Sequence, residues 1–235
     1  MNNYQFFILN YKLIIFISYC KTAYYLPPAL YCLLPIQQIN SKQLNLTKYY
    51  PTQITERFDQ ALLLCCQLHR HQLRKDGRTP YIAHLLTVAA LVLEDGGSED
   101  EAIAALLHDS VEDQGGLEIL EKIRQDFGKN IAEIVAGCTE SETFPKPSWQ
   151  ERKSRYLQQI RTGSKAVQRV SLADKLHNAR CTLLQLQQQG QGVWRRFHGG
   201  KSSTLKFYQS LLSSYQIEGI MKQEFERTIH QLEKI

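Results

Sequence analysis

The stretch "ALLHDSVEDQGG", residues 105 to 116, carries four ionisable side chains within six positions. It ends a predicted amphipathic helix that begins with a capping box formed by Ser98 and Glu101. Three of the four ionisable residues are acids: Asp109, Glu112 and Asp113. Carboxylates are unfavourable at the C-terminal end of a helix, and acids one turn apart repel one another. The pattern therefore favours a bound cation that compensates these charges.

Two further stretches place an ionisable side chain among apolar helix positions. His84 ends "PYIAH", and Asp174 lies within "VSLADKLHNAR". Taken alone, His84 is also explained as a hydrogen-bonded core imidazole and Asp174 as a salt-bridged acid. Taken with His108 and Asp109, they supply two imidazoles and two carboxylates from three helices. Such a set suits a divalent ion such as Mn²⁺, Fe²⁺ or Zn²⁺, and water bound to that ion could act as a nucleophile.

The elements that must position these residues are all predicted to be helices. Apolar residues recur at helical spacing from Thr55 onward, and we find no strand alternation of useful length and no internal repeat. Helices are expected at Thr55 to about Leu73, Pro80 to about Glu94, Gly116–Phe127, Lys129–Cys138 and Ala166–Gln189. Further helices are expected in the opening stretch, after a cap at Ser148 and at the end of the chain, and "SETFPKPSW" is predicted as a loop. The predicted fold class is an all-α bundle.

Composition limits the class of protein. The chain has 235 residues, 43% hydrophobic and 22% charged, which suits a globular domain. Of the net charge of +5, the four lysines of residues 1–50 supply +4, so the remainder, with 24 basic and 23 acidic residues, carries only +1. This balance argues against a domain dominated by nucleic-acid binding. The six cysteines show no CxxC spacing and fit reduced thiols in a cytoplasmic protein.

Residues 1–50 differ in composition from the rest and are predicted to be a separate leader. The run "YQFFILNYKLIIFISYC" contains an asparagine and a lysine and is shorter than the ~20 apolar residues of a typical span. It also lacks a basic n-region and a small-residue cleavage site. We interpret this leader as poorly ordered or spurious, with a membrane-associated anchor or a part of the core as alternatives. The functional domain is expected over residues 51–235.

The motifs together identify a family resemblance. "HDSVED", preceded by "RKDG" and "PYIAH" and followed by "LADKLHN", resembles the HD-domain metal-dependent phosphohydrolases. It is most similar to the branch with the hydrolase domains of RelA/SpoT proteins and the small alarmone hydrolases, over about residues 55 to 215. The resemblance implies an HD-domain helical bundle with metal ligation by His84, His108, Asp109 and Asp174. It also implies that Glu112 and Asp113 polarise the attacking water and handle protons.

The same resemblance implies a substrate and the residues that bind it. Arg74 would contact a guanine base with Lys75 nearby, Asn178 would contact the nucleotide, and Tyr208 would line the pocket. The metal is typically manganese, and the reaction removes the 3′-pyrophosphate of guanosine tetra- or pentaphosphate, (p)ppGpp. Two departures from the family pattern are a leucine, not a proline, after His84 and a "KDGRTPY" loop one residue longer than the commoner form.

Two other functions remain open from the sequence. One is an HD phosphohydrolase for another nucleotide or a phosphate ester, and the other is a non-catalytic nucleotide-sensing module. The expected partner is a small nucleotide rather than a nucleic acid, and no oligomeric state is predicted. His69 and His71 are expected on a solvated basic surface, and His177 is expected to form a structural hydrogen bond. Arg152 and Lys153 are interpreted as a solvated face, with phosphate contact as the alternative.

Overall fold

The computed structural model describes residues 52–141 and 147–235, and these ranges are helical. The helices are α1 (Glu56–Leu68), α2 (Ile82–Glu94), α3 (Glu99–Leu107), α4 (Ser110–Gln114), α5 (Gly116–Phe127), α6 (Lys129–Cys138), α7 (Trp149–Thr162), α8 (Lys165–Gln189), α9 (Gly200–Ser214) and α10 (Ile220–Lys234), with a 3₁₀ segment at Gly190–Arg196. No β-strand occurs in these two ranges, so the predicted all-α fold is confirmed. The predictions for residues 1–50 lie outside the described residues.

The core is centred on α3, which is buried on every side. Each residue from Ala102 to Leu107 is inaccessible to solvent, because α3 packs against α1, α2, α6 and α8. The long helix α8 also contacts α10 and α2. None of the helices in the described part of the chain has the length and apolar character needed to cross a bilayer. The packing of α2, α3 and α8 brings the three predicted ligand-bearing stretches together.

The predicted helix through "HDSVED" is interrupted. Its capping box is present as expected, because Ser98 accepts from the Glu101 N–H and the Glu101 carboxylate accepts from the Ser98 N–H. However, α3 ends at Leu107, and α4 begins at Ser110. In a continuing helix the Ala105 carbonyl would accept the N–H four residues later, but here it accepts from His108 Nδ1 at 2.8 Å. The acids at 112 and 113 therefore lie in the first turn of α4 and not in the last turn of α3.

The first helix is also shorter than predicted. It ends at Leu68, and the chain then forms a loop closed by an antiparallel bridge between Leu73 and Pro80. Within this loop the Arg74 N–H donates to the Thr79 carbonyl at 2.8 Å. The Asp76 carboxylate accepts from the N–H groups of Arg78 and Thr79, both at 2.9 Å. We call residues 74–79 the bridged loop.

Candidate active site

The four predicted ligands meet where α2, α3 and α8 converge, and we call them the metal cluster: His84, His108, Asp109 and Asp174. The ligand atoms of His84, His108 and Asp109 lie within 4.8 Å of one another. Asp174 Oδ1 lies 3.2 Å from His84 Nε2 and 3.8 Å from His108 Nε2. Both Nε2 atoms are buried and have no hydrogen-bond partner among the described residues. Two buried nitrogen lone pairs beside two carboxylates form a donor set that fits a divalent metal ion.

His108 is held in the tautomer that metal binding requires. Its Nδ1–H donates to the Ala105 carbonyl, so the neutral ring carries its lone pair on Nε2. Nε2 lies 3.1 Å from Asp109 Oδ2. The break between α3 and α4 thus directs the imidazole and the adjacent carboxylate toward the same point. A hydrogen bond to the second ring nitrogen is the usual way in which a protein fixes a metal-binding histidine.

His84 is oriented by a second histidine. Its Nδ1 lies 2.6 Å from Nδ1 of His177, and His177 Nε2 lies 3.5 Å from the sulfur of Cys181. Burial, followed by the repulsion of His84, lowers the pKa of His177 to about 4, so His177 is neutral at pH 7. A neutral His177 can accept the His84 Nδ1–H and donate its own Nε2–H to Cys181. The prediction of a structural hydrogen bond for His177 is consistent with this geometry.

The electrostatics of the metal cluster favour positive charge. Burial lowers the pKa of His108, but the carboxylates of Asp109 and Asp174 outweigh burial and raise it well above its usual range. Burial likewise raises the pKa of Asp109, but His108 outweighs it and holds the value well below the usual range. The cluster therefore stabilises ionised carboxylates and a cationic neighbour.

Sequence reasoning missed Tyr81 and misplaced His69. The Tyr81 hydroxyl donates to Asp109 Oδ2 at 2.7 Å and so orients this ligand. Its ring stacks on His69 with centroids 5.5 Å apart. His69 is buried and not on a solvated surface as predicted, and its ring nitrogens contact Gln72 and Ser110. The signal was the i, i+4, i+8 row of Ala61, Cys65 and His69, whose first two members form the buried face of α1.

The two predicted catalytic acids line the same cavity as Asp109 and Asp174, the two carboxylates of the metal cluster. This cavity has a volume of about 550 Å³. Glu112 Oε2 accepts from the Glu140 N–H at 3.4 Å, and Asp113 Oδ2 accepts from the Gln72 amide at 2.8 Å. Both acids are carried by α4, directly after the Asp109 ligand. Both acids therefore share this cavity with two of the predicted ligands, Asp109 and Asp174.

The four residues implied to bind the nucleotide also line this cavity, and we call them the nucleotide rim: Arg74, Lys75, Asn178 and Tyr208. Arg74 donates to the Asn178 Oδ1 and lies 5.4 Å from the centre of the Tyr81 ring. Asn178 in turn donates to Asp174 Oδ1, which joins the rim to the metal cluster. The Lys75 ammonium lies 5.6 Å from the centre of the Phe197 ring. Tyr208 is buried, and burial raises the pKa of its hydroxyl.

Arg152 and Lys153 are not on a solvated face. Both side chains are largely buried at 16% and 19% exposure, and both pair with the carboxylate of Glu140, which is 8% exposed. Lys175 lies 3.7 Å from the same carboxylate. We call Arg152, Lys153 and Lys175 the cationic cluster. All three line the cavity beside the metal cluster.

Comparison with known proteins identifies the family. The family model described as "HD domain" matches residues 61–201, more than half of the chain. This chain belongs to the HD-domain family. The predicted family and helical bundle are therefore confirmed. For an HD domain, the His/Asp cluster indicates a divalent metal site.

Several relatives of this HD-domain chain carry names that state an activity. The guanosine-3′,5′-bis(diphosphate) 3′-pyrophosphohydrolase MESH1 of Xenopus tropicalis is 40% identical over 130 residues, which are 52% of this chain and 70% of that protein. MESH1 of Homo sapiens is 39% identical over 115 residues, 48% of this chain and 62% of that protein. The chain thus spans less than two thirds of the human relative. The predicted enzyme class, an HD phosphohydrolase homologous to MESH1, is confirmed.

Two solved structures share the fold. One, described as a metazoan ortholog of SpoT that hydrolyses ppGpp and has a role in starvation responses, has a TM-score of 0.63 at 24% identity and covers 77% of this chain and 97% of its own. The other, lmo0812 from Listeria monocytogenes EGD-e, has a TM-score of 0.57 at 31% identity and covers 65% of this chain and 99% of its own. At 24% identity the first likeness supports the fold alone.

Proposed function

We propose that this HD-domain protein is a (p)ppGpp hydrolase that removes the 3′-pyrophosphate of guanosine tetra- or pentaphosphate. The observation that carries the proposal is one cavity lined by Asp109 and Asp174 of the metal cluster, by Glu112 and Asp113, and by Arg74. The MESH1 relatives are named for the same reaction. A small-molecule nucleotide is the proposed partner, and a cytoplasmic location is part of the proposal.

The proposed metal is Mn²⁺, held by His84, His108, Asp109 and Asp174. Two imidazoles and two carboxylates suit a borderline or hard divalent ion, and manganese is the metal that the family resemblance implies. When bound, such an ion supplies Lewis acidity, which stabilises negative charge on phosphoryl oxygens and acidifies water. Tyr81 and His177 hold two of these ligands in place through the hydrogen bonds described above.

Glu112 and Asp113 are the proposed proton-handling residues. In the reaction the oxygen of water bonds to the phosphorus that is attached to the ribose O3′. The bond between that phosphorus and O3′ then breaks, O3′ takes up a proton, and pyrophosphate leaves. A carboxylate next to the attacking water accepts its proton, and a carboxylic acid can return one to O3′. Both acids line the cavity together with Asp109 and Asp174, and we assign them to these proton transfers and not to the ligand set.

The nucleotide rim would hold the rest of the substrate. The Arg74 guanidinium is planar and can stack on a guanine base or form paired hydrogen bonds with it. Asn178 accepts a hydrogen bond from Arg74 and donates one to Asp174. The residue proposed to bind the base is therefore connected through one side chain to a proposed metal ligand. Lys75 supplies a positive charge for the phosphates, and Tyr208 forms part of the buried wall.

The experiment that tests this function is a hydrolysis screen of the purified protein against a nucleotide panel, with and without added Mn²⁺. The expected result is Mn²⁺-dependent release of pyrophosphate from (p)ppGpp. Turnover of a different nucleotide or of a phosphate ester instead would identify an HD phosphohydrolase of other specificity. Binding of (p)ppGpp without turnover in the presence of metal would identify a sensing module.

A further inference from the structure

The cationic cluster holds more positive charge than its own carboxylate can balance. The Glu140 carboxylate contacts Arg152 at 3.3 Å, Lys175 at 3.7 Å and also Lys153. A second described carboxylate also contacts the cluster: Asp174 pairs with Lys175 at 2.7 Å and belongs to the metal cluster. Three cations therefore share Glu140 and part of a metal ligand. Buried charges of one sign in excess favour an ion of the opposite sign.

The titration of Lys153 agrees with this imbalance. Burial and then the repulsion of Lys175 lower the pKa of Lys153, although the Glu140 carboxylate acts in the opposite direction. The repulsion between Lys153 and Lys175 shows that the two ammonium groups are close enough to act on one ligand. A bound anion would add the missing negative charge.

The cations are fixed in position by the surrounding structure. The Arg152 Nε–H donates to the Pro147 carbonyl at 3.3 Å. The Lys153 ammonium lies 4.5 Å from the centre of the Phe207 ring, and the Lys175 ammonium lies 4.8 Å from that of Tyr156. Positively charged groups that are ordered before a ligand arrives bind it without a further ordering cost.

The cationic cluster also lies next to the metal cluster. Lys175 contacts Asp174 on one side and Glu140 on the other, so the cationic cluster begins one side chain away from the metal cluster. All three cations line the cavity that Asp109 and Asp174 also line. A phosphoryl group at the metal cluster would place a second phosphate, bonded to the first, near these cations.

We propose that Arg152, Lys153 and Lys175 form a subsite for the distal phosphate of the 3′-pyrophosphoryl group. The proposal rests on the proposed function and adds the group that selects a pyrophosphate over a monophosphate. The distal phosphate takes no part in the bond changes at O3′, so the subsite acts by binding and orientation. Glu140 is then a positioning residue that holds the cations toward the cavity.

The test measures binding of inorganic pyrophosphate and of orthophosphate by calorimetry. The protein is used as purified, after dialysis to remove unbound metal, and is compared with Arg152→Gln and Lys153→Gln. The matched control is Arg155→Gln, on the same helix α7, where the guanidinium is 62% exposed and pairs with Glu151. Losing one charge-assisted hydrogen bond should weaken pyrophosphate binding by about tenfold. Orthophosphate binding should change less, and the control should match the parent.

Melting curves accompany the binding data, because Lys153→Gln leaves Glu140 with fewer partners. If that variant fails to fold, the double variant Glu140→Gln/Lys153→Gln removes both charges and is expected to show the same loss of pyrophosphate affinity. Parental pyrophosphate binding in the folded variants would overturn the subsite, as would equal loss of pyrophosphate and orthophosphate binding. Because the probe is pyrophosphate itself, this result stands apart from whether the parent hydrolyses (p)ppGpp.

Discussion

The metal cluster lies beside the cationic cluster. Each of them brings buried carboxylate oxygens next to buried nitrogen atoms. In the metal cluster two carboxylates converge with two imidazole nitrogens. In the cationic cluster one carboxylate, that of Glu140, holds three cations. The first arrangement attracts a cation and the second an anion. Lys175 contacts a carboxylate of each.

Both clusters are buried, so the difference between the ions that we propose for them follows from the ratio of acidic to basic groups and not from burial. A buried carboxylate costs free energy unless it is paired. Asp109 pairs with neighbours that can be neutral, so a metal ion can replace the proton on His108. Glu140 pairs with one arginine and two lysines, so basic groups outnumber the acid there. The two clusters together match a substrate whose phosphates meet both a metal and cations.

The largest effect is expected from breaking the metal cluster. Asp109→Ala or Asp174→Ala should lose the bound metal and with it hydrolysis, because each removes one of the two carboxylates from the proposed set of four ligands. Metal analysis of the purified variants checks this. Asp126→Ala, an acid that is 40% exposed and paired with Lys122, is the control and should retain metal. A stoichiometrically loaded Asp109 or Asp174 variant would contradict the ligand set.

The next effect is expected at the acids that lie beside the metal cluster. Glu112→Gln and Asp113→Asn should keep the metal and lose about 10²–10⁴-fold in turnover, since each removes a proton-transfer group and not a ligand. Because both acids lie in the first turn of α4, where carboxylates are favoured, neutralising them is not expected to raise the melting temperature. Metal content, melting temperature and hydrolysis rate are measured on the same preparations.

Either of two results would contradict this assignment of Glu112 and Asp113. A variant that turns over at the parental rate would remove its acid from the mechanism. A variant that has lost the metal would make that acid a ligand.

Removing the carboxylate that the cationic cluster shares should lower the free energy of unfolding. Glu140→Gln leaves three largely buried cations without their shared carboxylate and should cost about 3 kcal/mol at neutral pH. Although burial raises the pKa of Glu140, the adjacent lysines lower it below its usual 4.5. Its contribution is therefore present above pH 4.5 and is lost as the pH falls through the folded-state pKa, so parent and variant should converge in acid.

Denaturant unfolding of the Glu140→Gln variant between pH 7 and pH 3 is the measurement. Glu133→Gln is the control, because this carboxylate is 59% exposed and paired with Lys129 on the surface. A constant difference between parent and Glu140→Gln across this range would show that the carboxylate is not the source of the effect.

The smallest effect on activity is expected from replacing Arg74, whose hydrogen-bond partner Asn178 is neutral. Arg74 is held by the amide of Asn178 and not by a carboxylate, so Arg74→Ala should affect substrate binding more than stability. We expect kcat/KM for (p)ppGpp to fall by about tenfold, mainly through KM. Arg78→Ala, in the same bridged loop, is the control. Steady-state kinetics with equal effects of the two substitutions would argue against base contact by Arg74.

The metal cluster could be predicted from the sequence because its ligands stand in a local pattern. The adjacent pair His108 and Asp109 follows an apolar helix, and His84 and Asp174 lie among core positions of two others. The sequence did not show that the helix breaks between α3 and α4, at His108 and Asp109. That break depends on a side-chain hydrogen bond from His108 to the chain's own backbone, which competes with the regular helical bond.

The cationic cluster was harder to predict because its charges come from separate segments. Glu140 lies just after the end of α6, and Arg152 and Lys153 lie in α7, whose composition resembles a surface helix. One signal was available. Tyr156 is buried, and residues three and four positions before it share its helix face. The sequence shows only the spacing of Arg152 and Lys153 from this tyrosine, and the burial of Tyr156 in the structure shows that they share an inward face.

The geometry of the bridged loop determines how well the loop tolerates an added residue. Its base is fixed on both sides, by the Leu73–Pro80 bridge and by the bond from the Arg74 N–H to the Thr79 carbonyl. At its tip Gly77 adopts a positive φ of 69°, and no other atom crowds it. Loop closure costs only a small fraction of a kcal/mol more for one added residue. A residue can therefore be inserted at the tip at little cost in free energy, while Arg74 at the base keeps its position beside the cavity.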